Sequence, residues 1–342
     1  MCLPENHSLM LVILHLLTFS LAFLLSLYLT PLFREAALKF GIMDKPQGPL
    51  KTHTEPVPYL GGLAVYLSFL LTTGFMHQYS REVLGILLAG AIIVILGLID
   101  DFGVLSPKVK LLGQFIAASV LVKASIYIKL TILPLWVAIP LTIVWVIAIT
   151  NAFNLIDIMD GLASGVGAIA ALVLVIVNYR SGRELIVPLS IALAGSLLGF
   201  LRYNFKPARI YLGDAGSLFI GLMLAALSMN GAYTRVSLAG AVAPILILGV
   251  PIFDMLLVMY IRFRRGIPMM QGSPDHFALR LRKWRLSVEF TVLSSYAGAA
   301  LLGALALLLT RVNTLTVCLI SGLALLVCLS IGHYLKKVNM KL

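Results

Sequence analysis

Residues 135–160 read LWVAIPLTIVWVIAITNAFNLIDIMD, and Gly161 follows. The run 132–150 carries no charge, as expected of a helix that crosses a membrane, and it is followed at once by Asn151, Asn154, Asp157 and Asp160. Polar groups at that depth are costly unless they are used. If the helix continues through them, a spacing of three sets all four along one face, where they converge on a single ligand. The stretch thus predicts a helical membrane fold with a polar site at the end of a span.

The rest of the chain repeats this character. Of 342 residues 60% are hydrophobic and 12% charged, and the mean hydropathy is +1.02, which excludes an ordinary soluble domain. Apolar runs at about 8–32, 59–77, 82–99, 107–127, 132–150, 161–178, 184–201, 215–233, 236–260, 289–310 and 314–335 predict an all-α polytopic protein of about eleven transmembrane helices. With the N-terminus outside and the C-terminus in the cytoplasm, nineteen of the 26 Lys and Arg residues fall on inner loops, so the positive-inside rule selects that orientation. The first run lacks a basic segment before it and a small-residue cleavage pattern after it, and reads as a retained anchor. No repeat or soluble insertion divides the chain. One membrane domain is expected over 1–342, with a cytoplasmic-face site built from loops 33–58, 100–110, 151–161, 202–217 and 262–288.

The net charge of +12 would suggest nucleic acid in a soluble protein, but here the excess of Lys and Arg records topology and attraction to anionic lipid. Cys2, Cys318 and Cys328 have no metal-ligand spacing and read as packing residues. Phosphate-loop, dinucleotide-binding, zinc-protease and nucleophile-elbow patterns are all missing, so a nucleotide-driven pump finds no support.

All eight aspartates, at 44, 100, 101, 157, 160, 214, 254 and 275, fall on or near the predicted cytoplasmic face. Carboxylates gathered from separate loops among basic residues suggest a divalent cation and a phosphate-bearing ligand; charge balance with nearby Lys and Arg is the plainer reading. Asp100 and Asp101 close a span as adjacent like charges, tolerable beside a metal or beside Lys108 and Lys110. Asp214 lies between Gly213 and Gly216, which leave room for a ligand, or it is a simple helix cap. Asp254, inside an apolar run, either pairs with a cation or lines a cleft. In Gly272-Ser-Pro-Asp-His-Phe-Ala-Leu-Arg-Leu-Arg, a helix after Pro274 would set His276 and Arg280 one turn apart, suited to gripping a pyrophosphate. The competing class is a secondary transporter of an anionic solute, which also uses intramembrane polar residues; here they cluster at one face and no two halves repeat.

Taken together, Asp100-Asp101, the series Asn151, Asn154, Asp157, Asp160, Gly161, and Gly213-Asp214-x-Gly216-Ser217 resemble the polyprenyl-phosphate N-acetylhexosamine-1-phosphate transferases, the family that includes the phospho-MurNAc-pentapeptide translocase. The resemblance implies transfer of a sugar 1-phosphate from a UDP-N-acetylhexosamine to a polyprenyl phosphate lipid at the inner (plasma) membrane, with release of UMP. It implies Mg²⁺, with Mn²⁺ as a substitute, held by Asn154 and Asp214. It places Asp100 and Asp101 beside the attacking lipid phosphate, with Lys110 and Lys51 on that phosphate. Asn151, Asp157 and Asp160 fall at the nucleotide end, and His276, Arg280 and Arg282 at the donor diphosphate. The segment Lys51 to Gly62, with Pro58-x-x-Gly61-Gly62, is similar to the family's first cytoplasmic loop. Asn-Ala-Phe-Asn and the lack of a triple-histidine run favour the UDP-N-acetylglucosamine branch over the pentapeptide branch, but the His-x-His-His of that branch is reduced here to His276 ahead of arginines. A homodimer is left open, and no nucleic-acid partner is expected.

Overall fold

The computed structural model describes residues 5–44, 56–76, 79–103, 105–182, 186–229, 231, 233–234, 236–268 and 273–340, with the backbone alone for 5–8. Within these the fold is all-α, apart from a hairpin of two short antiparallel strands, β1 (Met43–Asp44) and β2 (Val57–Pro58). The helices are α1 (Glu5–Phe40), α2 (Gly61–Met76), α3 (Arg81–Phe102), α4 (Pro107–Lys123), α5 (Leu135–Ile156), α6 (Leu162–Arg180) and α7 (Val187–Asn204). They continue as α8 (Gly213–Ser228), α9 (Ala243–Ile247), α10 (Gly249–Arg265), α11 (Phe277–Lys283), α12 (Val288–Leu309) and α13 (Thr314–Leu335).

Every one of the eleven apolar runs holds a helix. Among the described residues six helices are long and apolar enough to cross a membrane, or seven if the pair broken before α10 counts as one span. That pair bends by 78°, so the run 236–260 is not one straight rod. The chain is a multi-pass membrane protein.

Local sequence sets where the helices begin. Ser80 and Ser106 accept hydrogen bonds from the backbone N–H groups of Val83 and Val109, and Pro107 occupies the first turn of α4, where its missing N–H costs nothing. This start puts Lys110 on the opening turn of α4.

The centre of the bundle is α8, buried at every residue from Ala215 to Ser228. A helix apolar on all sides needs neighbours on all sides, and α2, α3, α5 and α6 supply them. Two glycines set how close they come. A Cβ on Gly97 of α3 would lie 2.4 Å from the Ala215 Cα, and one on Gly221 of α8 would lie 2.6 Å from the Thr150 Cα of α5. Backbones can touch only where the side chain is absent. The ends of α3, α5 and α8, which carry Asp100, Asn154 and Asp214, are thereby fixed against one another. At the periphery, α13 buries only Val317 and Leu335.

Candidate active site

The polar site forms where α3 ends, α4 begins, α5 ends and α8 begins. Three oxygens converge there on one ammonium. Lys110 Nζ lies 2.6 Å from Asp214 Oδ2, 2.8 Å from Asp100 Oδ2 and 3.3 Å from Asn154 Oδ1. Asn154 Nδ2 donates in turn to Asp214 Oδ1 (2.7 Å) and Ser217 Oγ (3.0 Å). The Asp214 side chain is 34% exposed against 13% for Asp100, so the cluster opens to solvent on the Asp214 side.

Asp101, next in sequence to Asp100, points elsewhere. Its two carboxylate oxygens accept the backbone N–H groups of Asp214 (2.8 Å) and Ala215 (3.1 Å), so it caps α8 and meets the positive end of that helix's dipole. Each of the adjacent acids thus has its own partner, Lys110 for Asp100 and a helix terminus for Asp101. Gly213 makes the cap possible. It adopts φ +73°, and a Cβ there would come within 2.7 Å of Asp101 Oδ2.

The four-residue face expected over 151–160 is not formed. Helix α5 stops at Ile156, Asp157 caps its end, and Asp160 sits in the following turn before Gly161 opens α6 at φ +77°. Asn151 turns away from the cluster into a reciprocal amide pair with buried Gln114 of α4, Nδ2 to Oε1 at 2.7 Å and Nε2 to Oδ1 at 3.2 Å. Asp160 accepts from the Ala208 backbone N–H at 3.0 Å. Asp157 remains partly buried near Asp214, Asp101 and Asp160. Burial first, and then those like charges, pushes its carboxyl up to about 8.

The loops close over this cluster through backbone bonds. Gly61 N donates to Tyr211 O (3.0 Å), Gly62 N to Leu212 O (2.8 Å) and Tyr211 N to Pro58 O (2.8 Å). Gly216 serves this contact, since a Cβ on it would come within 2.6 Å of the Gly62 Cα. Tyr59 donates its hydroxyl to the Asp101 carbonyl at 2.7 Å. Burial raises the phenol of Tyr211, as do nearby Asp160, Asp44 and Asp157. Asn204 ties Gly161 N, Ser164 Oγ and Ile210 O together, while Tyr296 of α12 donates to Gly161 O at 2.6 Å. Lys51 lies outside the described residues.

A second buried network surrounds α11. Asp254 accepts the Phe277 N–H (2.7 Å) and meets His276 Nδ1 (2.7 Å), so its costly burial is offset by a helix cap and a hydrogen bond to the imidazole. His276 precedes α11 rather than riding on it. Arg280 is fully buried: its guanidinium bonds Asp275 and the carbonyls of Leu335 (2.9 Å) and Val338 (3.0 Å). It ties α11 to the end of α13 and presents no free face to a diphosphate, in contrast to the expectation from sequence. Arg282 is exposed.

Gln114, Tyr59, Asn204 and Tyr296 were not anticipated as framework of the site. Gln114 carried a signal, being an uncharged polar residue one turn beyond Lys110 in an apolar helix.

The residues present fit a hard cation. Two carboxylates and an amide oxygen already gather around one positive charge at Lys110, and Mg²⁺ characteristically takes one or two carboxylates and completes its shell with phosphate and water oxygens. Among the described residues no three His, Cys, Asp or Glu side chains are grouped so as to hold a metal by themselves.

The sequence profile of glycosyl transferase family 4 matches residues 83–232, the segment that carries Asp100, Asp101, Lys110, Asn154 and Asp214. The chain is 37% identical over 287 residues to a Bacillus subtilis (strain 168) protein named "probable undecaprenyl-phosphate N-acetylglucosaminyl 1-phosphate transferase", covering 81% of this chain and 80% of that one. It is 33% identical over 301 residues to the decaprenyl-phosphate N-acetylglucosaminephosphotransferase of Mycolicibacterium smegmatis, covering 76% and 73%. With the phospho-N-acetylmuramoyl-pentapeptide-transferase of Halalkalibacterium halodurans it shares 32% identity over 309 residues, covering 80% and 92%.

Proposed function

The chain belongs to glycosyl transferase family 4, and on that premise we propose that it transfers N-acetylglucosamine 1-phosphate from UDP-N-acetylglucosamine to a polyprenyl phosphate, undecaprenyl phosphate in the first instance. The products are a polyprenyl-diphosphate sugar and UMP, in synthesis of a cell-wall or surface polysaccharide. The observation that carries this reading is the convergence of Asp100, Asn154 and Asp214 on Lys110, a site for anionic phosphate and a shared cation.

In this reading the lipid phosphate oxygen attacks the donor's β-phosphorus, the bond from that phosphorus to the bridging oxygen breaks, and UMP leaves with the electron pair. Asp214 and Asn154 would hold Mg²⁺, with the donor diphosphate completing its shell. When bound, the ion supplies neutralisation of the charge that gathers on the leaving UMP. Lys110, displaced from the carboxylates, pairs with the incoming phosphate and offsets the repulsion between two anions. Asp100 orients that phosphate and accepts any proton it carries. Asp101 holds the start of α8, and so Asp214, in place. Asp157 and Asp160 line the nucleotide end, and exposed Arg282 faces the diphosphate, while His276 is held in the buried network by Asp254. Asn151 acts through its amide pair with Gln114 to fix the end of α5 on which Asn154 rides.

We place this site on the cytoplasmic face of the plasma membrane, in a chain of eleven crossings with the N-terminus outside, because the loops next to it are rich in Lys and Arg and such loops stay on the inner side. Higher identity with the B. subtilis relative than with the pentapeptide-transferase relative favours an N-acetylglucosamine donor. The test is a donor panel at fixed lipid acceptor: UMP from UDP-N-acetylglucosamine supports the reading, while UMP only from UDP-MurNAc-pentapeptide moves the enzyme to the other branch.

A further inference from the structure

The helices that carry the catalytic cluster have a second site at their other ends. A cavity of about 210 Å³ is lined by Ile128, Leu141 and Trp145 on the α4–α5 side, and by Met229, Tyr233 and Ile245 beyond the end of α8. On α5, Trp145 precedes Asn154 by nine residues, and on α8, Ser228 follows Asp214 by fourteen. At about 1.5 Å per residue that sets the cavity roughly 14–21 Å along the bundle from the catalytic cluster.

The lining is mostly apolar with one unexplained polar atom. Tyr233 is 6% exposed, and its hydroxyl is buried with no hydrogen-bond partner among the described residues. A Cβ on Gly231, another wall residue, would lie 2.7 Å from that hydroxyl, so the phenol oxygen sits at the cavity wall. Ser228 does not satisfy it: that hydroxyl donates to Ala225 O and accepts from Trp145 Nε1. A buried hydroxyl left in this state points to an acceptor that arrives from outside. Lys129 also lines the cavity and is exposed, its ammonium 5.1 Å from the Tyr127 ring. Of the lining residues, Leu141 and Ile245 are 42% and 45% exposed, so the cavity reaches the surface through apolar side chains.

We propose that this cavity binds one acyl chain of an anionic membrane phospholipid. The chain fills the apolar wall, an ester oxygen accepts from Tyr233 Oη, and the phosphate pairs with Lys129. A bare prenyl tail would leave both polar groups unanswered, which favours a lipid with ester and phosphate oxygens over the distal end of the acceptor.

Trp145 in the wall is a built-in reporter. With Trp136 and Trp284 replaced by Phe, the protein is placed in phosphatidylcholine nanodiscs containing increasing dibrominated phosphatidylglycerol or, in parallel, dibrominated phosphatidylcholine. The expected result is quenching of Trp145 that saturates at low phosphatidylglycerol fraction, at least about threefold steeper than with phosphatidylcholine. Lys129→Ala should remove that preference, and Ala241→Phe, at another residue that lines the cavity, should fill it and remove the saturable component. Thermal melting in detergent checks folding, and Lys129→Ala decides alone if Ala241→Phe does not fold. Equal, unsaturated quenching by both lipids would overturn the proposal, as would loss of the preference in neither variant. Displacement of the brominated lipid by an equal fraction of undecaprenyl phosphate would overturn it in favour of a prenyl chain.

Discussion

Lys110 Nζ and Asp214 Oδ2 lie 2.6 Å apart although 104 residues separate them in sequence. The contact joins the first turn of α4 to the first turn of α8. It places the positive charge where Asp100 and Asn154 also offer oxygen, and most of the chemistry proposed for the chain follows from it.

Replacing Asp214 by Asn keeps shape but removes the one charged group of the pair, Asp214 and Asn154, that would hold the cation. Turnover should fall by about two to three decades, the scale seen when one group that stabilises transition-state charge is lost. Lys110→Met should cost a similar factor through the acceptor phosphate. UMP release at saturating substrates measures both, with a melting curve to show that each variant is folded. Near-normal turnover for Asp214→Asn would remove it from the metal role.

Asp101 should behave differently from its neighbour. Its carboxylate caps α8, so Asp101→Ala should lower stability by about 1–2 kcal/mol and reduce turnover through misplaced Asp214. Asp101→Asn, which retains one capping oxygen, should recover much of the stability. Comparing melting temperatures of the two variants checks this. Equal loss of turnover with no loss of stability would instead assign Asp101 a direct chemical role.

For Arg280 the geometry predicts a stability effect. Arg280→Ala strips Asp275 of a fully buried partner and should cost about 3 kcal/mol, the low end for a broken buried pair because Arg265 remains 2.9 Å from Asp275. Donor saturation should shift instead in Arg282→Ala, whose side chain is exposed. Kinetics against UDP-sugar concentration and melting in detergent separate the two; a raised donor requirement in a fully stable Arg280→Ala would reverse the assignment.

The carboxyl of Asp157, pushed up to about 8 mainly by burial, gives a pH signature. A carboxyl whose pKa is higher in the folded state than its ordinary value near 4 favours folding in its protonated form. That stabilisation is complete below about pH 4 and is lost as pH rises through about 8. In chelator, the melting temperature of the wild type should therefore fall relative to Asp157→Asn between pH 5 and 9, and added Mg²⁺ should offset the loss at the alkaline end. Parallel pH profiles for the two proteins would show that Asp157 does not titrate in this range.

Much of this was legible in the sequence. Apolar runs marked the helices, since hydropathy is a local property, and polar residues at the ends of runs marked the candidate site. Asp100, Lys110, Asn154 and Asp214 do meet. The remainder depended on contacts between distant segments. The pairing of Asn151 with Gln114, the cap that Asp101 gives α8, and the enclosure of Arg280 by Asp275 and two carbonyls of the C-terminal segment are set by tertiary approach, which spacing alone does not encode. The break after Ile156 was missed for a related reason. A period of three suits a helix equally well whether the helix continues or stops, and Gly161 at φ +77° decides in favour of a turn.

The central claim is tested most directly by following UMP release from purified protein in detergent, supplied with UDP-N-acetylglucosamine, undecaprenyl phosphate and Mg²⁺. Omitting each component in turn, or adding chelator, completes the experiment. The account predicts UMP only when donor, lipid acceptor and metal are all present, with no sealed membrane required. No UMP from any UDP-sugar, together with movement of an anionic solute that needs two closed compartments, would contradict it and leave a transporter in its place.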